Sequence, residues 1–313
     1  MKKPLIIIVG PTAVGKTDTS IEIAKELNCE IISADSMQVY KGMDIGSAKP
    51  TIEEQQGIPH YLMDEIDPRE NFSVVEFRNE AKKQIDLIVE KNKLPMIVGG
   101  TGLYVNSIIY DIDFSETSSN TELRQKLEDE ANEFGNEYLH NKLAEVDANA
   151  AERIHPNNVK RVIRALEVFY ESGEKIKDFK TNLIPTEEYN YVLIGLTRDR
   201  QELYNRINLR VEKLIENGLI EEVKRLMDLG LDEDDISMKG LGYKEIIKYL
   251  KGNYDLEEAI NILKRDTRRY AKRQITWFKR YEDIRWFDLG EYKEKNDLKT
   301  DIIKYIEGKL NLV

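Results

Sequence analysis

The sequence predicts an α/β protein with a P-loop-type parallel sheet flanked by helices, interrupted by a helical insertion. Residues 1–110 alternate short apolar runs with amphipathic helical patterns, which is typical of such a sheet. From Thr121 to about Ser172 the chain is charged and helix-periodic, and near Tyr189 a strand-like run, YNYVLIGL, returns. We therefore predict a core over residues 1–114 and 187–313 and a helical insertion over residues 115–186, which opens with the polar linker SETSSNTE.

The elements of the core follow in order along the chain. Leu5–Val9 is a continuous apolar run that ends at Gly10, and a run of this length indicates a buried strand. It is too short for a membrane span, which needs about 20 apolar residues, and no small-residue cleavage site follows it. The same criteria predict strands at Glu30–Ser33, at Pro95–Val98 and from Tyr189, and helices over about 16–27, 74–91, 200–229 and 256–281.

Composition restricts the classes of function. The 313 residues are 41% hydrophobic and 34% charged, and without a membrane segment or disulfide-forming cysteines the expected location is the cytoplasm. Cys29 is the single cysteine, and His60, His140 and His155 are scattered, so a transition-metal site is not expected. The formal net charge of −11 repels nucleic acid on average, so any contact with RNA requires a local basic cluster.

The stretch GPTAVGKT, between the first strand and the first helix, matches the phosphate-binding pattern G-x-x-x-x-G-K-[ST] in its required setting. Backbone N–H groups at a helix N-terminus attract anions, and the lysine adds a point charge. Two or more linked phosphates fit such a loop, and a hydroxyl in its last position can ligate Mg²⁺. The predicted phosphate-binding residues are Gly10, Thr12, Ala13, Val14, Gly15, Lys16 and Thr17, with Thr17 also the predicted Mg²⁺ ligand.

The acidic partner that usually helps a phosphate loop to hold Mg²⁺ is missing. In ATP- and GTP-using relatives of this fold a second strand ends in Asp, whereas LPMIVGGTGLY here ends in Gly99-Gly100-Thr101. The carboxylate at the end of a strand is instead Asp35, in EIISADSMQVY, and ligands of open α/β sheets bind at that edge. Locally, a turn or a helix cap is an equally good interpretation of Asp35.

Four segments together, GPTAVGKT, DSMQVYKGMDIGSAKP, GGTGLY and RRYAKRQITWF, resemble the tRNA dimethylallyltransferases over essentially the whole chain. The resemblance implies that the loop holds the diphosphate of dimethylallyl diphosphate, and that the five-carbon group moves to N6 of the adenosine 3′-adjacent to the tRNA anticodon. It further implies Asp35 as general base, Thr101 beside the reacting groups and an arginine of LYNRINLR on the diphosphate, with Arg206 the first choice and Arg210 the second. The absence of C-terminal cysteines favours the bacterial form.

We predict that Asp35, Ser36, Met37 and Gln38 read the extruded adenine or its neighbour, although Gln38 could be an ordinary turn residue. The segment from Lys264 to Arg280 contains eight basic residues and one acidic residue, so its net charge is +7. Interleaved aromatic rings could stack on bases, or they could form a core stripe beneath a solvated basic face. From this segment the predicted tRNA contacts are Arg269, Lys272, Arg273, Gln274 and Trp277.

Two further segments are predicted to contact tRNA. On the insertion, Lys160, Arg161 and Arg164 share one side of a helix, and they join Arg124 as candidates on the basis of the resemblance. Alone, they would be an ordinary charged surface. The segment KGLGYK, whose glycines permit close backbone approach, adds Lys239, Gly240, Gly242, Tyr243 and Lys244.

Three other functions are compatible with parts of the sequence. A P-loop kinase would share residues 1–30, a prenyltransferase that acts on free AMP or ADP would share the reaction, and a non-catalytic tRNA-binding protein would share the basic helix. Neither of the first two needs a basic-aromatic helix. A non-catalytic protein would tolerate loss of the Asp35 carboxylate. The expected partners are the tRNA anticodon stem-loop and dimethylallyl diphosphate, without a membrane, and a monomer is the default.

Overall fold

The computed structural model describes residues 2–112, 120–176 and 183–312. It divides into two compact units, one formed by Met1–Tyr110 with Thr186–Val313 and the other by Asp111–Pro185. Residues 115–119 of the predicted polar linker lie outside the described ranges.

The first unit is built on a sheet whose described strands, six in number, all run parallel in the order β3-β2-β4-β1-β5-β6. The prediction of a parallel sheet flanked by helices is confirmed. The register pairs Gly99 with both Val9 and Ala34, so three strands end level with one another. The strands are β1 (Lys3–Val9), β2 (Cys29–Ala34), β3 (His60–Tyr61), β4 (Leu94–Gly99), β5 (Tyr189–Thr197) and β6 (Arg285–Asp288).

Helices cover both faces of this sheet, which explains why β1 is apolar at every central position. Ile6 and Ile8 pack into a core shared with the first and last helices of the unit, while Leu5, Ile7 and Val9 pack into a second core. The helices outside the insertion are α1 (Lys16–Glu26), α2 (Ile52–Gln55), α3 (Val74–Glu90), α4 (Gly102–Ile109), α9 (Arg200–Glu216), α10 (Leu219–Asp228), α11 (Tyr243–Leu250), α12 (Leu256–Phe278) and α13 (Lys295–Leu310), with a 3-10 turn at Ser237–Lys239.

The helical pattern predicted over residues 200–229 is two helices in the structure. Gly218, with φ of +100°, ends α9 and begins α10, and this left-handed conformation is one that glycine adopts without strain. The helices α9 to α12 enclose a third core around Met43, Val223 and Tyr243. In the described part of the chain no helix is both long and apolar enough to cross a membrane.

The second unit is helical in the residues that the structure describes. Its core is formed by Leu127, Leu139, Leu143, Val162 and Leu166. Its helices are α5 (Thr121–Phe134), α6 (Asn136–Val146), α7 (Ala148–Arg153) and α8 (Val159–Ser172).

Candidate active site

The phosphate loop lies between the carboxyl end of β1 and the start of α1. Ala13 and Gly15 adopt positive φ values of 63° and 114°, which turn the backbone sharply before the helix begins. The Nζ of Lys16 donates hydrogen bonds to the carbonyl oxygens of Gly10 (2.9 Å) and Pro11 (3.0 Å). The lysine is therefore held over the loop, close to where an anion would bind.

Three long side chains from the C-terminal half bind the peptide groups of the loop. Arg206 Nε donates to the carbonyl oxygen of Ala13 (2.9 Å), and Arg198 Nε donates to that of Val14 (2.9 Å). Gln274 Oε1 accepts from the N–H of Thr12 (2.9 Å). The sequence reasoning missed Arg198, and it assigned Gln274 to RNA.

Asp35 follows β2 at the edge of the sheet where the phosphate loop lies. Its Oδ1 accepts a hydrogen bond from the N–H of Met37 (2.9 Å), so the turn that sequence reasoning offered as the alternative is present. Thr101, at the N-terminus of α4, accepts from the N–H of Ser36 through Oγ1 (3.2 Å) and donates its own N–H to the carbonyl oxygen of Ala34 (3.1 Å). Asp35, Thr101 and the phosphate loop therefore meet at one edge.

The charged groups at this edge influence one another. Burial lowers the pKa of Lys16 to about 8, an effect that Asp35 opposes and Arg210 reinforces. Burial also lowers the pKa of Arg210, and Asp35 again opposes the shift. The pKa of Tyr270 is raised, mainly by burial and then by the negative charge of Asp35. Asp35 is thus near enough to two cations and a phenol to affect the ionisation of each.

These groups line a cleft of about 600 Å³, a size suited to small-molecule substrates. One part of its wall is basic and another part is apolar, so the cleft can accept a ligand with an anionic end and a hydrocarbon end. The basic part is formed by Lys16, Lys49, Arg206, Arg210 and Lys213, and the apolar part includes Ala13, Ile45, Pro50, Leu209 and Leu214. The polar remainder includes Thr17, Asp18, Asp35, Gln38, Asp44, Glu54, Tyr270 and Gln274.

Gln38 is held on one side of the cleft. Its Oε1 accepts from the hydroxyl of Ser33 (2.8 Å), and its Nε2 lies 3.4 Å and 3.5 Å from the carbonyl oxygens of Ala48 and Ser47. Met37 contacts Gly240, where an added Cβ would lie 2.7 Å from its sulfur. The 35–38 segment is therefore fixed by its neighbours and still borders the cleft.

The loop that holds Gln38, residues 44–48, is anchored by a buried carboxylate. Glu222 is 5% exposed, and its two oxygens accept from the backbone N–H groups of Asp44 (2.9 Å), Ile45 (2.8 Å) and Gly46 (2.9 Å) and from the hydroxyl of Tyr243 (2.9 Å). No local sequence pattern pointed to Glu222, because its loop partners lie more than 170 positions earlier in the chain.

The KGLGYK segment is only partly at the surface, which revises its predicted contacts. Tyr243 is fully buried, and its hydroxyl also accepts from the N–H of Ser47 (3.1 Å), so it supports the 44–48 loop and is not placed to touch RNA directly. Gly240 and Gly242 are buried as well, whereas Lys239 is exposed. Lys244 is half-buried, with its Nζ 3.4 Å from Glu245.

Helix α12 has a buried face and a basic face. Arg269, Lys272 and Arg273 are exposed, as a contact with RNA phosphates requires, although Arg269 also lies 3.3 Å from Asp266. Trp277 is half-buried and packs on Gly102, so the core-stripe interpretation applies to this ring. Gln274 is 6% exposed and its side chain binds the phosphate loop, so its contact with RNA stays a prediction.

In the second unit the four candidate residues lie in different environments. Lys160 and Arg161 are exposed on α8. Arg124 donates to Glu167 through Nε (2.8 Å) and Nη2 (2.9 Å), and Arg164 donates to it through Nη1 (2.5 Å). Glu167 is fully buried, so this pair of arginines also stabilises the unit by compensating a buried charge.

Across the described ranges, no set of three His, Cys, Asp or Glu side chains is arranged to hold a metal ion. Thr17 is exposed in the first turn of α1 and lines the cleft together with Asp18 and Asp35. These oxygen donors fit Mg²⁺, which commonly takes few protein ligands and obtains the others from substrate phosphates and water.

The family model described as IPP transferase matches residues 38–281. The tRNA dimethylallyltransferases of Alkaliphilus oremlandii and Clostridioides difficile are 62% and 58% identical to the chain, with 99% of the chain covered in each case and 99% and 100% of the relative.

Solved structures agree with these relatives. A full-length tRNA isopentenylpyrophosphate transferase from Bacillus halodurans matches with a TM-score of 0.76 and 48% identity, over 99% of this chain and 97% of the other. A eukaryotic dimethylallyltransferase that acts on tRNA matches with a TM-score of 0.79 and 28% identity, over 97% of this chain and 80% of the other. The resemblance inferred from the sequence is confirmed, and the chain belongs to the IPP transferase family, with bacterial tRNA dimethylallyltransferases among its relatives.

Proposed function

We propose that the protein transfers the dimethylallyl group from dimethylallyl diphosphate to N6 of the adenosine 3′-adjacent to the tRNA anticodon, with release of diphosphate. The observation that carries the proposal is that a phosphate loop and the carboxylate of Asp35 line the same cleft. The strand that would supply a magnesium-binding Asp in an NTPase ends instead in Gly99-Gly100-Thr101. The names of the relatives supply the substrate class.

The loop and its neighbouring cations would hold the leaving group. As the allylic C1–O bond breaks, both bonding electrons go to the diphosphate oxygen, and negative charge accumulates there. Loop N–H groups, Lys16, Arg206 and Arg210 would surround that oxygen, and donors fixed in advance are how a site stabilises developing charge. Arg206 reaches Ala13 through Nε, so its remaining N–H groups can serve the anion, and this supports our choice of Arg206 before Arg210.

Asp35 would act on the nucleophile. The N6 lone pair of adenine is delocalised into the ring, so the amine attacks C1 more readily when a carboxylate accepts its proton. The N6–C1 bond forms as the C1–O bond breaks, and the proton passes from N6 to Asp35. Thr101 fixes the backbone beside Asp35 through the N–H of Ser36. The base must leave its stack to enter the cleft, and Gln38, which lines the cleft, would read it.

Mg²⁺ is part of this proposal. Thr17, together with diphosphate oxygens, would hold it, and when bound it would neutralise part of the charge on the leaving group.

The tRNA would be gripped by the basic face of α12 and by the exposed cations of the second unit, Lys160 and Arg161. Contacts by Lys239 and Lys244 belong to the same proposal. The monomeric state and the cytoplasmic location stay predictions of the sequence.

The test is to incubate the protein with radiolabelled dimethylallyl diphosphate and unmodified tRNA, with labelled ATP as the alternative substrate. The label of dimethylallyl diphosphate should enter tRNA. After the tRNA is digested to nucleosides, the labelled product should co-migrate with N6-dimethylallyladenosine. ATP consumption without labelled tRNA would favour the kinase alternative. In a parallel reaction with AMP in place of tRNA, transfer of the label to AMP would favour the free-nucleotide enzyme.

A further inference from the structure

Gln274 joins two loops that are distant in sequence and belong to different parts of the proposed reaction. Its Oε1 accepts from the N–H of Thr12 in the phosphate loop (2.9 Å), and its Nε2 donates to the carbonyl oxygen of Gly100 (3.0 Å), next to Thr101. Burial raises the pKa of Tyr270, and the side chains of Thr101 and Gln274 oppose that shift, so its hydroxyl lies near both. One amide thus connects the diphosphate side of the cleft with the Asp35 side.

The surroundings of this amide leave little room for another arrangement. A Cβ added at Gly100 would lie 2.1 Å from Gln274 Nε2, so glycine is needed there for the amide to approach. The amide supplies both an acceptor for the N–H of Thr12 and a donor for the carbonyl of Gly100, and at any pH it does so without carrying a charge into the site. Because the side chain is 6% exposed, either backbone group would lose its partner if the amide were removed.

The same helix carries the proposed RNA-binding face. Lys272 and Arg273, the two residues just before Gln274, are exposed. A position in a basic segment is therefore no guide to what this side chain binds. What a residue of α12 binds depends on which side of the helix its side chain occupies.

We propose that Gln274 is a positioning residue that sets the separation and orientation of the phosphate loop and the Gly100–Thr101 segment. It acts through Thr12 and Gly100 and does not itself bind RNA. This inference rests on the proposed function, because it assigns the two loops to the two halves of one transfer reaction.

The first experiment compares Gln274→Leu with the wild-type protein. The leucine fills the space and removes both hydrogen bonds, so we expect about a tenfold weaker affinity for inorganic pyrophosphate and a decrease in kcat of about 10- to 100-fold. The affinity for unmodified tRNA should change less than about twofold, because the side chain does not face the RNA-binding surface. Lys272→Gln should show the opposite pattern, with weaker tRNA binding and unchanged pyrophosphate affinity, and exposed Thr276→Ala should change neither.

A pH profile separates positioning from simple loss of packing. In Gln274→Glu the ionised carboxylate keeps an acceptor for Thr12 but repels the carbonyl oxygen of Gly100 and the diphosphate, whereas the protonated acid has the donor and acceptor of the native amide. The activity of Gln274→Glu relative to wild type should therefore rise as the pH falls. That of Gln274→Leu should stay at a constant fraction of wild type.

Gly100→Ala gives an independent test, because it displaces the amide while Gln274 itself is unchanged. We expect it to reproduce the loss of pyrophosphate affinity. Melting temperatures of all variants show whether the fold is kept.

The inference is overturned if Gln274→Leu weakens tRNA binding and leaves pyrophosphate binding intact, or if Gln274→Glu follows the wild-type pH profile. Failure of the wild-type protein to prenylate tRNA would overturn the proposed function instead.

Discussion

At the scale of single residues, Lys16 combines a half-buried position with a cationic role. Burial lowers its pKa to about 8, so in the free protein a growing fraction loses its proton above that pH. A bound diphosphate favours the charged form and raises the pKa again. Binding near pH 8 should therefore take up protons, and the affinity should fall as the pH rises through about 8.

The measurement is titration calorimetry with dimethylallyl diphosphate at several pH values, in buffers of different ionisation enthalpy. The control is Lys16→Arg, because a guanidinium keeps its charge throughout this range. Its binding should show only the proton linkage of the ligand. Identical pH profiles for the two proteins would mean that Lys16 does not titrate as inferred.

Asp35 serves both a turn and, in the proposed mechanism, the reaction, and Asp35→Asn separates these roles. The Asn Oδ1 can still accept from the N–H of Met37, so the turn should survive and the melting temperature should change little. The neutral amide cannot take the N6 proton, and kcat should fall by about 10²- to 10⁴-fold. Gel-shift assays should show tRNA binding retained. A variant with more than a tenth of the wild-type rate would exclude Asp35 as the base.

Sequence alone identified those residues whose environment is local. The phosphate loop is one contiguous stretch between a strand and a helix, and Asp35 ends a strand, so backbone pattern is enough to place both at the edge of the sheet. The roles of Gln274, Arg198 and Glu222 depend on hydrogen bonds that span 262, 184 and 176–178 positions. Contacts between residues so far apart in the chain produce no periodic pattern in the sequence.

At the scale of elements, the 44–48 loop borders the cleft although it belongs to no helix or strand. Its shape depends on the carboxylate of Glu222, which gathers three consecutive N–H groups and a phenol hydroxyl. The buried carboxylate is tolerated here because four donors are directed at its two oxygens. Helix α10, which carries Glu222, is therefore part of the framework that keeps Gln38 in place.

Glu222→Gln should destabilise the protein because an amide offers one acceptor oxygen and turns its NH₂ group toward other donors. We expect a decrease of about 2–4 kcal/mol in the free energy of unfolding. Urea denaturation measures this loss, and hydrogen exchange at Asp44, Ile45 and Gly46 should become faster. The matched control is Glu221→Gln, an exposed neighbour whose effect should stay within about 0.5 kcal/mol. Equal effects of the two substitutions would contradict the anchoring role.

The elements predicted correctly from the sequence were those with a strong hydrophobic pattern. The central strands β1, β2 and β4 and the helices α1 and α3 were predicted within a few residues of their observed bounds. The edge strand β3 has two residues and β6 has four, too short for a hydrophobic alternation to be recognised, and α13 was not predicted either. The break at Gly218 was missed because the apolar periodicity of α9 continues into α10.

At the scale of the whole molecule, charge is separated between one helix segment and the remainder of the chain. Residues 264–280 carry eight basic side chains and one acidic one, a net +7, in a chain of net charge −11. Some of this charge is used internally, since Lys264 pairs with Glu212 (2.5 Å) and Arg268 donates to Asn208 (2.6 Å). The exposed part of the segment, around Lys272 and Arg273, is where the field should favour RNA.

This separation predicts a specific salt dependence of tRNA binding. Each cation that neutralises a phosphate releases counterions, so log Kd should vary linearly with log salt concentration, and removal of one such cation should reduce the slope by about 0.7–0.9. Lys272→Gln and Arg273→Gln should each weaken binding and lower the slope by that amount, which filter binding between about 50 and 300 mM salt can measure. Lys304→Gln removes the same charge from an exposed position on α13, and at about 0.15 M salt the screening length is only about 8 Å. If Lys304→Gln changes the slope as much as Lys272→Gln does, the overall field governs binding, and the basic face of α12 has no special part in it.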